Sequence, residues 1–458
     1  MTLNKAVVLG ASVSGLLAAA ALSSSFESVT IIERDELSDE PVTRRGVPQG
    51  DQIHLLLPLG MEKIEALLPG FEQDLLTAGG EKYDMTAATA YWTPCGWSAR
   101  ARSGIDGIGF LRPTFEWLLR RRVLAAGNVS VLRGTARGLL SDASKQRVTG
   151  VKLADGDSVS GDLVVDATGR GSKAHLWVED LGYPRPETQH LRAFQGYTTM
   201  TVRLPDDALP SDLRAVVVPP HPGNPRGGAV VPCGDGNHVV AACGMTGDYP
   251  PVELAELLDF LDQASSPLLG STVRAGTVLT PPTSYKMAGS QRRLWEKLER
   301  RPEGFVVIGD AVASFNPLYG QGMTMSALGA TVLKQAVEAA NGQIDGVADT
   351  VARDLTPWVD IAFSMAASQD AFYEGAEFVN VDPLPASVAE TNALLATVAT
   401  EDVDVMLALR KAAYYMDQSD LMSEQIQAKV AAWAAEGRTP SAAATDPKKF
   451  PEIVSASV

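Results

Sequence analysis

The stretch VVLGASVSGLLAAAAL, Val7 to Leu22, decides how the N-terminal part of the chain folds. It could be the apolar core of a secretory signal, or the strand, turn and helix that open a dinucleotide-binding unit. Gly10 and Gly15 bound a turn between an apolar run of strand length and a small-residue helix. A second run, VTIIE, ends at Glu33, near the spacing at which an acid binds the ribose of a dinucleotide. The pattern favours the nucleotide-binding turn.

The turn departs from the Gly-x-Gly-x-x-Gly fingerprint, because Ser12 stands where the middle glycine is expected. That glycine lets the backbone approach a pyrophosphate, so Ser12 must adopt a compatible conformation, and its hydroxyl could bond a phosphate. The alternative is a glycine-rich turn that only serves packing. A second, independent part of the same site is needed to decide between them.

Composition excludes several classes of function. The chain has 458 residues and a formal net charge of -16, which argues against a nucleic-acid partner. Its three cysteines form no CxxC pair, so we expect a cytoplasmic protein. No run of about 18 apolar residues predicts a membrane span, and no metal site is predicted.

The order of the sequence patterns predicts an α/β protein of two interleaved domains. Short runs rich in valine and threonine, such as YTTMTVRL, GAVVPC and HVVAACG, predict an antiparallel sheet between segments of strand and helix. We assign residues 1–75, 111–172 and 296–340 to a discontinuous Rossmann-like nucleotide-binding domain, and residues 76–110 and 173–295 to a β-sheet domain that binds substrate. A helical region, 341–437, and a loosely ordered tail, 438–458, follow.

The second part of the site is predicted in VVIGDAVASFNPLYGQGMTMSALGA, Val306 to Ala330. A buried strand leads to Asp310, whose carboxylate can accept hydrogen bonds from the hydroxyls of a polyol chain. Gly320 and Gly322 then precede a helix, and glycines let the backbone lie close to a flat ring. The start of the helix would stabilise negative charge on a reduced ring system. A packing role for these glycines is the alternative.

With both motifs in place, the chain from Lys5 to Asn341 resembles FAD-dependent monooxygenases of the aromatic-hydroxylase and squalene-epoxidase type. The resemblance implies a Rossmann-like FAD-binding domain, and it implies FAD and O2 as cofactors. It places the cofactor against Gly10, Ser12, Gly15, Glu33 and Arg34 on the ADP side, Arg112 at the centre, Ala136 beside the adenine, Gly309 and Asp310 at the ribityl and pyrophosphate region, and Pro317, Gly320, Gly322 and Met323 at the flavin ring.

The middle motif, DLVVDATGRGSKAHLW, has Asp166 followed by Ala-Thr-Gly where the hydroxylases carry an Asp-Gly pair. This variant is more similar to that of halogenases and reductases. Asp166 is assigned to cofactor binding, with the alternative that it caps a turn. Because the chain has no second dinucleotide fingerprint, we expect brief visits by NAD(P)H or a separate flavin reductase as partner. The missing Trp-x-Trp-x-Ile-Pro sequence disfavours halogenation.

The loop TRRGVPQGDQIHLLLPLG, Thr43 to Gly60, resembles the flavin-adjacent loop of bacterial polyketide epoxidases from polyether-antibiotic pathways such as lasalocid and monensin. The resemblance implies that Arg45 steadies the pyrophosphate or the flavin, although a solvated arginine on a loop is an equal alternative. His54 is expected to pack at a helix start.

The resemblance implies that reduced flavin and O2 form a C4a-hydroperoxide, which epoxidises an alkene of an apolar polyene or polyketide substrate. Alkene epoxidation needs no protein base, whereas phenol hydroxylation benefits from one. The alternatives are an aromatic hydroxylase with the same cofactor chemistry, a reductase of prenyl chains, and a protein whose flavin serves structure or sensing. No catalytic side chain is assigned.

Overall fold

The apolar run that precedes Gly10 forms the central strand of a five-stranded parallel sheet in the computed structural model, which describes residues 3–454. The strands are β1 (Leu3–Leu9), β2 (Phe26–Glu33), β3 (Glu81–Asp84), β4 (Thr89–Thr93), β5 (Gly96–Trp97), β6 (Asp106–Gly109), β7 (Val129–Arg133), β8 (Ala136–Ser141), β9 (Val148–Leu153), β10 (Ser158–Ser160), β11 (Leu163–Asp166), β12 (Thr188–Arg203), β13 (Ala215–Val218), β14 (Arg226–Gly234), β15 (Asn237–Gly244), β16 (Thr277–Val278), β17 (Thr283–Arg293), β18 (Phe305–Val307), β19 (Ala313–Ser314) and β20 (Glu377–Val379).

The helices are α1 (Val13–Ser23), α2 (Pro58–Leu67), α3 (Phe71–Thr77), α4 (Arg112–Leu124), α5 (Ala174–Asp180), α6 (Leu254–Asp262), α7 (Leu268–Ala275), α8 (Gln321–Ala339), α9 (Val347–Asp370), α10 (Ala386–Val398), α11 (Val403–Ala413), α12 (Glu424–Ala435) and α13 (Ala442–Thr445). Short 3-10 turns lie at Trp295–Lys297, Gly309–Ala311, Pro317–Tyr319 and Asp420–Met422.

The parallel sheet has the strand order β18-β11-β1-β2-β7. Numbered along the chain, this is 5-4-1-2-3, the order of a Rossmann-like sheet read from its other edge. The order reverses between β1 and β11, where Val8 pairs with Val165. Ligands of such sheets bind outside the carboxyl ends of the strands at this switch point. Gly10 and Ala167 directly follow the two strands there.

The second large sheet is mostly antiparallel and has the order β19-β17-β12-β15-β14-β13-β4-β5, with β16 and β20 also paired to β12. Its central strand, β12, is 16 residues long and contains four threonines, a β-branched residue that favours strands. Helices α6 and α7 cover one face through Leu257, Leu261 and Leu269, which pack on Val216 and Val240. The other face turns towards the parallel-sheet domain. The expected fold class, a Rossmann-like domain combined with an antiparallel sheet and helices, is confirmed.

The C-terminal region differs in two ways from the sequence-based expectation. Strand β20 interrupts the segment predicted as helical, because its residues complete the edge of the large sheet against β12. The tail, predicted as loosely ordered, packs on the sheet domain: Trp97 Nε1 donates to the Asp446 carbonyl at 3.0 Å, and the buried Arg100 donates to that of Pro451 at 2.6 Å. Sequence periodicity does not report such contacts of irregular chain. Residues 455–458 of the predicted tail lie outside the described residues.

Across residues 3–454, we find no helix that combines the length and the apolar character needed to cross a membrane.

Candidate functional site

A cavity of about 560 Å³ extends from the carboxyl ends of β1 and β11 to the face of the large sheet. Its walls combine the turn after β1, the end of β2, the loop before α2, the start of α4, the segment after β11 and the loop between β18 and α8. Its size and its mixture of apolar walls with a few convergent polar groups are typical of a cofactor or substrate site.

The two glycines of the turn after β1 allow close backbone contacts. Gly10 has φ +95°, and a Cβ there would lie 2.9 Å from the Ala167 carbonyl oxygen. A Cβ on Gly15 would lie 1.8 Å from the Gly10 carbonyl oxygen, so Gly15 permits the close contact between α1 and the turn. The start of α1 consequently borders the cavity, where its free N–H groups favour a bound phosphate.

Ser12 fits the turn without a glycine. Its backbone is extended, with φ -86° and ψ -174°, a conformation open to any residue. Its hydroxyl donates to Glu116 Oε2 at 3.2 Å and accepts from Arg112 at 3.2 Å. The predicted departure from the fingerprint is therefore compatible with the turn, and the hydroxyl is engaged by protein side chains.

Four charged side chains form a connected group across the middle of the cavity wall. Arg44 lies 3.0 Å from Glu33 and 2.8 Å from Glu116, and Arg112 lies 2.8 Å from Glu116. Glu33 also accepts from the Ala11 N–H at 2.8 Å, which ties the end of β2 to the turn after β1. We call Glu33, Arg44, Arg112 and Glu116 the charged cluster.

In the charged cluster, burial and ion pairing shift the pKa values of the side chains in opposite directions. Burial disfavours the Glu116 carboxylate, but Arg112 and Arg44 outweigh it and lower the pKa of Glu116. Burial likewise disfavours the charge on Arg44, yet Glu116 and Glu33 raise its pKa. For Arg112 burial dominates and lowers the pKa. Arg44 and Glu116 therefore hold each other in their charged forms.

The donor groups left over in the cluster suit an anionic ligand. Among residues 3–454, one terminal guanidinium nitrogen of Arg44 and the Nε of Arg112 are buried and have no hydrogen-bond partner. Buried donors of this kind are costly unless something accepts from them. Together with the start of α1, they would supply the donors that a pyrophosphate requires, and Glu33 would accept from a ribose. The residues thus fit the ADP half of FAD.

Asp310 borders the cavity at the opposite side, after β18. Burial raises the pKa of this carboxyl to about 6, against the opposing effect of Arg170 and Arg112. Gly320, with φ +64°, caps α8, and the nearest atom to a Cβ on Gly322 would be Asp310 Oδ1 at 3.9 Å. Open space beside a carboxylate and a helix start suits the ribityl chain and one edge of a flavin ring.

The end of the cavity at the large sheet is lined by aromatic and apolar side chains. Tyr197 of β12 and Tyr285 of β17 are paired across the two strands, and Met287 follows on β17. Ile53 and Leu55 face them from the loop before α2. This end can hold an apolar molecule next to the flavin ring.

His54, predicted to pack at a helix start, lies on the cavity wall. Its Nδ1 lies 2.9 Å from the Gln52 carbonyl, which fixes that nitrogen as the donor. Burial, and secondarily Arg112, lowers the pKa of His54 to about 3. The imidazole is therefore neutral, with Nε2 as a hydrogen-bond acceptor.

Most of the predicted site residues meet at this one cavity. It is lined by Gly10, Ser12, Glu33, Arg34, Arg112, Ala136, Asp310, Pro317, Gly320, Gly322 and Met323. Gly15, Arg45, Asp166 and Gly309 do not line it. Gly15 and Gly309 instead permit close packing around α1, since a Cβ on Gly309 would lie 2.3 Å from the Ser14 hydroxyl.

The assignments of Arg45 and Asp166 need correction. Arg45 is exposed, and its neighbour Arg44 turns inward to the charged cluster instead. Asp166 is fully buried and accepts from the Thr168 N–H at 2.9 Å and from the hydroxyls of Thr168 and Ser172, so it caps the turn after β11. This is the alternative that the sequence left open for Asp166.

Sequence reasoning missed Arg44 and Glu116. An arginine pair on a loop contains no signal for which member turns inward. Glu116 did have a signal, because it follows Arg112 by one helical turn, a spacing that brings opposite charges together.

The comparisons with known proteins agree with this architecture. The tryptophan halogenase family matches residues 110–180, which include α4 and β11. Protein Rv3254 of Mycobacterium tuberculosis is 33% identical over 356 residues, 75% of this chain and 75% of that protein.

Two solved structures illustrate the fold. Flavin-dependent brominase Bmp2 has a TM-score of 0.65 at 15% identity, over 94% of this chain and 98% of that chain. PqsL of P. aeruginosa, in complex with 2-aminobenzoylacetate, has a TM-score of 0.62 at 16% identity, over 81% of this chain and 95% of that chain. At these identities the likeness establishes the shared fold.

Proposed function

The chain belongs to the family of Protein Rv3254 of Mycobacterium tuberculosis, and from that premise we propose that it is an FAD-dependent monooxygenase that epoxidises an alkene of an apolar polyene or polyketide. The observation that carries the proposal is the cavity that joins a nucleotide-binding turn to an apolar sheet face. The match to tryptophan halogenases over α4 and β11, and the flavin dependence of brominase Bmp2, support FAD as the cofactor.

The described side chains divide the work of holding FAD. The start of α1 and the free donors of Arg44 and Arg112 would neutralise the pyrophosphate, and Glu33 would accept from the adenosine ribose. Asp310 would accept from the ribityl hydroxyls. When bound and reduced, FAD supplies the activation of O2 and the transfer of one oxygen atom.

The sheet end of the cavity would orient the substrate and exclude water. Tyr197, Tyr285, Met287 and Ile53 provide a largely apolar wall, which would exclude water from the side of the cavity where oxygen is transferred. His54 is a poor base, because its pKa is lowered to about 3. This supports an alkene, which needs no deprotonation, over the alternative of a phenol.

Electrons would come from NAD(P)H or from a separate flavin reductase. The cavity holds the dinucleotide-binding turn after β1, which FAD would occupy. A transient visit by NAD(P)H, or delivery by a partner, is consistent with the absence of a second fingerprint in the sequence.

Halogenation is the second candidate, and the family match favours it. The matched residues, 110–180, include cofactor-side elements but neither of the strands β12 and β17, which line the sheet end. The match therefore supports the cofactor more than it supports the reaction on the substrate.

The test is the fate of labelled oxygen. The FAD-loaded protein is reduced with a flavin reductase and NADH, then mixed with ¹⁸O₂ and paired polyene and phenol substrates, with and without bromide. We expect an epoxide that carries one labelled atom. A brominated product would establish halogenation, the second candidate. A saturated, unlabelled product would show that the protein reduces the alkene and does not oxygenate it.

A further inference from the structure

Asp370 is a buried carboxylate outside the charged cluster, in a place where a negative charge is costly. It is the last residue of α9 and has no exposed surface. The C-terminal end of a helix carries partial negative charge, which disfavours a carboxylate. No ion pair within residues 3–454 involves Asp370. A buried carboxylate in such a position needs hydrogen-bond donors from its neighbours.

Asp370 contacts the loop that borders the flavin side of the cavity. Asn316 Nδ2 donates to its two oxygens at 2.9 and 3.1 Å, and the Tyr319 hydroxyl donates at 2.7 Å. Both donors belong to the segment between β19 and α8 that ends at Gly320. One carboxylate of α9 thus engages this loop at two points.

The Asn316 side chain also links Asp370 to strand β12 of the large sheet. Its Oδ1 accepts from the Tyr197 hydroxyl at 2.6 Å and from the Leu318 N–H at 3.1 Å. Since the amide nitrogen is committed to Asp370, the amide has one orientation. Helix α9, the loop and strand β12 therefore meet in one connected set of hydrogen bonds, and Tyr197 and Asn316 both line the cavity.

The ionised form of Asp370 matches its surroundings, because every neighbour within hydrogen-bond reach is a donor. A protonated carboxyl has to turn its own hydrogen towards the Asn316 amide, which breaks that bond, or towards the Tyr319 hydroxyl, which reverses it, so in either case the carboxyl loses one donor. Burial nevertheless raises the pKa of Asp370 to about 6, against the hydrogen bonds from Tyr319 and Asn316. The carboxyl consequently changes its charge within a range of pH that the protein can be tested in.

The other titratable groups that face Asp370 keep their charge in that range. Tyr197, Tyr319 and Tyr373 remain neutral, because burial raises the pKa of each. Cys243 of β15, which faces Tyr197 and Tyr373, has its pKa raised by burial to about 12. Asp310, across the cavity, also titrates near 6 and must be controlled for.

We propose that Asp370 is a positioning residue whose ionised carboxylate holds the loop from Asn316 to Gly320 in the conformation that receives the flavin ring. The inference rests on the proposed function only in that FAD occupies the cavity. It requires no oxygen transfer, so it can be tested on the binding step alone.

The experiment compares FAD binding by the native protein and by Asp370→Asn, from about pH 5 to about pH 8, using quenching of flavin fluorescence and the visible spectrum of bound FAD. Near pH 8 the variant should bind FAD roughly tenfold more weakly and show a shifted flavin band, because the neutral amide replaces the charged acceptor of both hydrogen bonds to the loop. Near pH 5 the two proteins should converge, since native Asp370 is then also uncharged.

Two features of this design isolate Asp370. Asp310 is present in both proteins, so its titration cancels from the difference between them. Asp354→Asn removes the same charge from an exposed position of the same helix, and it should match the native protein at every pH.

A second variant protects the test against a folding defect in Asp370→Asn. Tyr319→Phe removes one donor to the carboxylate and should raise the pKa of Asp370, so the weakening of FAD binding should begin at a higher pH than in the native protein. A difference between native protein and Asp370→Asn that is the same at every pH, or an unmoved profile in Tyr319→Phe, overturns the inference. Failure of the native protein to bind FAD would refute the proposed function as well, whereas binding without oxygenation would refute that function alone.

Discussion

Two glycine-rich turns border the cavity, and they use their glycines differently. In the turn from β1 to α1, a Cβ on Gly15 would lie 1.8 Å from the Gly10 carbonyl oxygen, so the glycine is required by the protein itself. At the start of α8, just after the second glycine-rich loop, the nearest neighbour of a Cβ on Gly322 would be Asp310 Oδ1, at 3.9 Å. The first turn needs Gly15 for its own packing, whereas Gly322 leaves open space at the cavity.

This difference separates folding from binding. Substitution in the first turn forces backbone apart and should damage the fold and the site together. Substitution of Gly322 fills space that a ligand would use, and it should weaken binding while the apoprotein stays intact. Measured stability and FAD affinity should therefore respond independently to the two glycines.

The largest effect is expected for Gly15→Val. The side chain would displace α1 from the turn and destabilise the protein by about 3 kcal/mol or more, and FAD retention should be lost. Urea denaturation and the flavin content of the purified protein measure the two effects. Gly329→Ala serves as control, because its Cβ would make ordinary contact with Ile308 at 3.5 Å. Normal flavin content in Gly15→Val would refute the role of this turn.

Gly322→Val should show the opposite pattern. The apoprotein of the variant should unfold at the same urea concentration as the native apoprotein. FAD affinity should fall by roughly two orders of magnitude, because a branched side chain would enter the cavity beside Asp310. Titration with FAD and urea denaturation of apoprotein provide the comparison. If Gly322→Val lowered both FAD affinity and the stability of the apoprotein, as expected for Gly15→Val, the two glycines would not differ in role.

Asp310→Asn should change how the stability of the apoprotein depends on pH. Burial raises the pKa of Asp310 above that of an unfolded aspartate, so the folded protein binds the proton more tightly and loses stability as pH rises from about 4 to about 6. The variant apoprotein should be more stable than the native one near pH 8, by up to about 3 kcal/mol, and equal to it near pH 4. FAD binding should nevertheless weaken, since an amide accepts fewer hydrogen bonds. A stability difference that does not vary with pH would contradict this account.

The smallest effect is expected for Ser12→Gly, which restores the middle glycine of the fingerprint. The backbone of Ser12 already has an ordinary conformation, so the loss of its hydroxyl contacts should cost within about 1 kcal/mol and FAD should be retained. Flavin content and a urea titration suffice to test it. Loss of flavin would mean that the Ser12 hydroxyl is essential to the site.

The sequence predicted those parts of the site that lie within single motifs. Glu33, Gly10 and Asp310 follow buried strands at fixed spacings, and strand, turn and helix are determined by residues close in sequence. The inward member of the pair Arg44 and Arg45 could not be predicted, because a loop has no periodicity to orient its side chains. The fit of Glu116 beneath Arg44 depends on a contact across 72 positions of the chain.

The sequence by itself determined the fold class, the nucleotide-binding turn and the position of the second glycine-rich loop, since periodicity and glycine spacing are local properties. Only the tertiary structure decided that Asp370, at the end of α9, reaches Asn316, 54 positions away. Burial and hydrogen bonding depend on which distant residues are brought into contact. Those contacts set the charge of a carboxylate, and so they decide what a residue can do at the site.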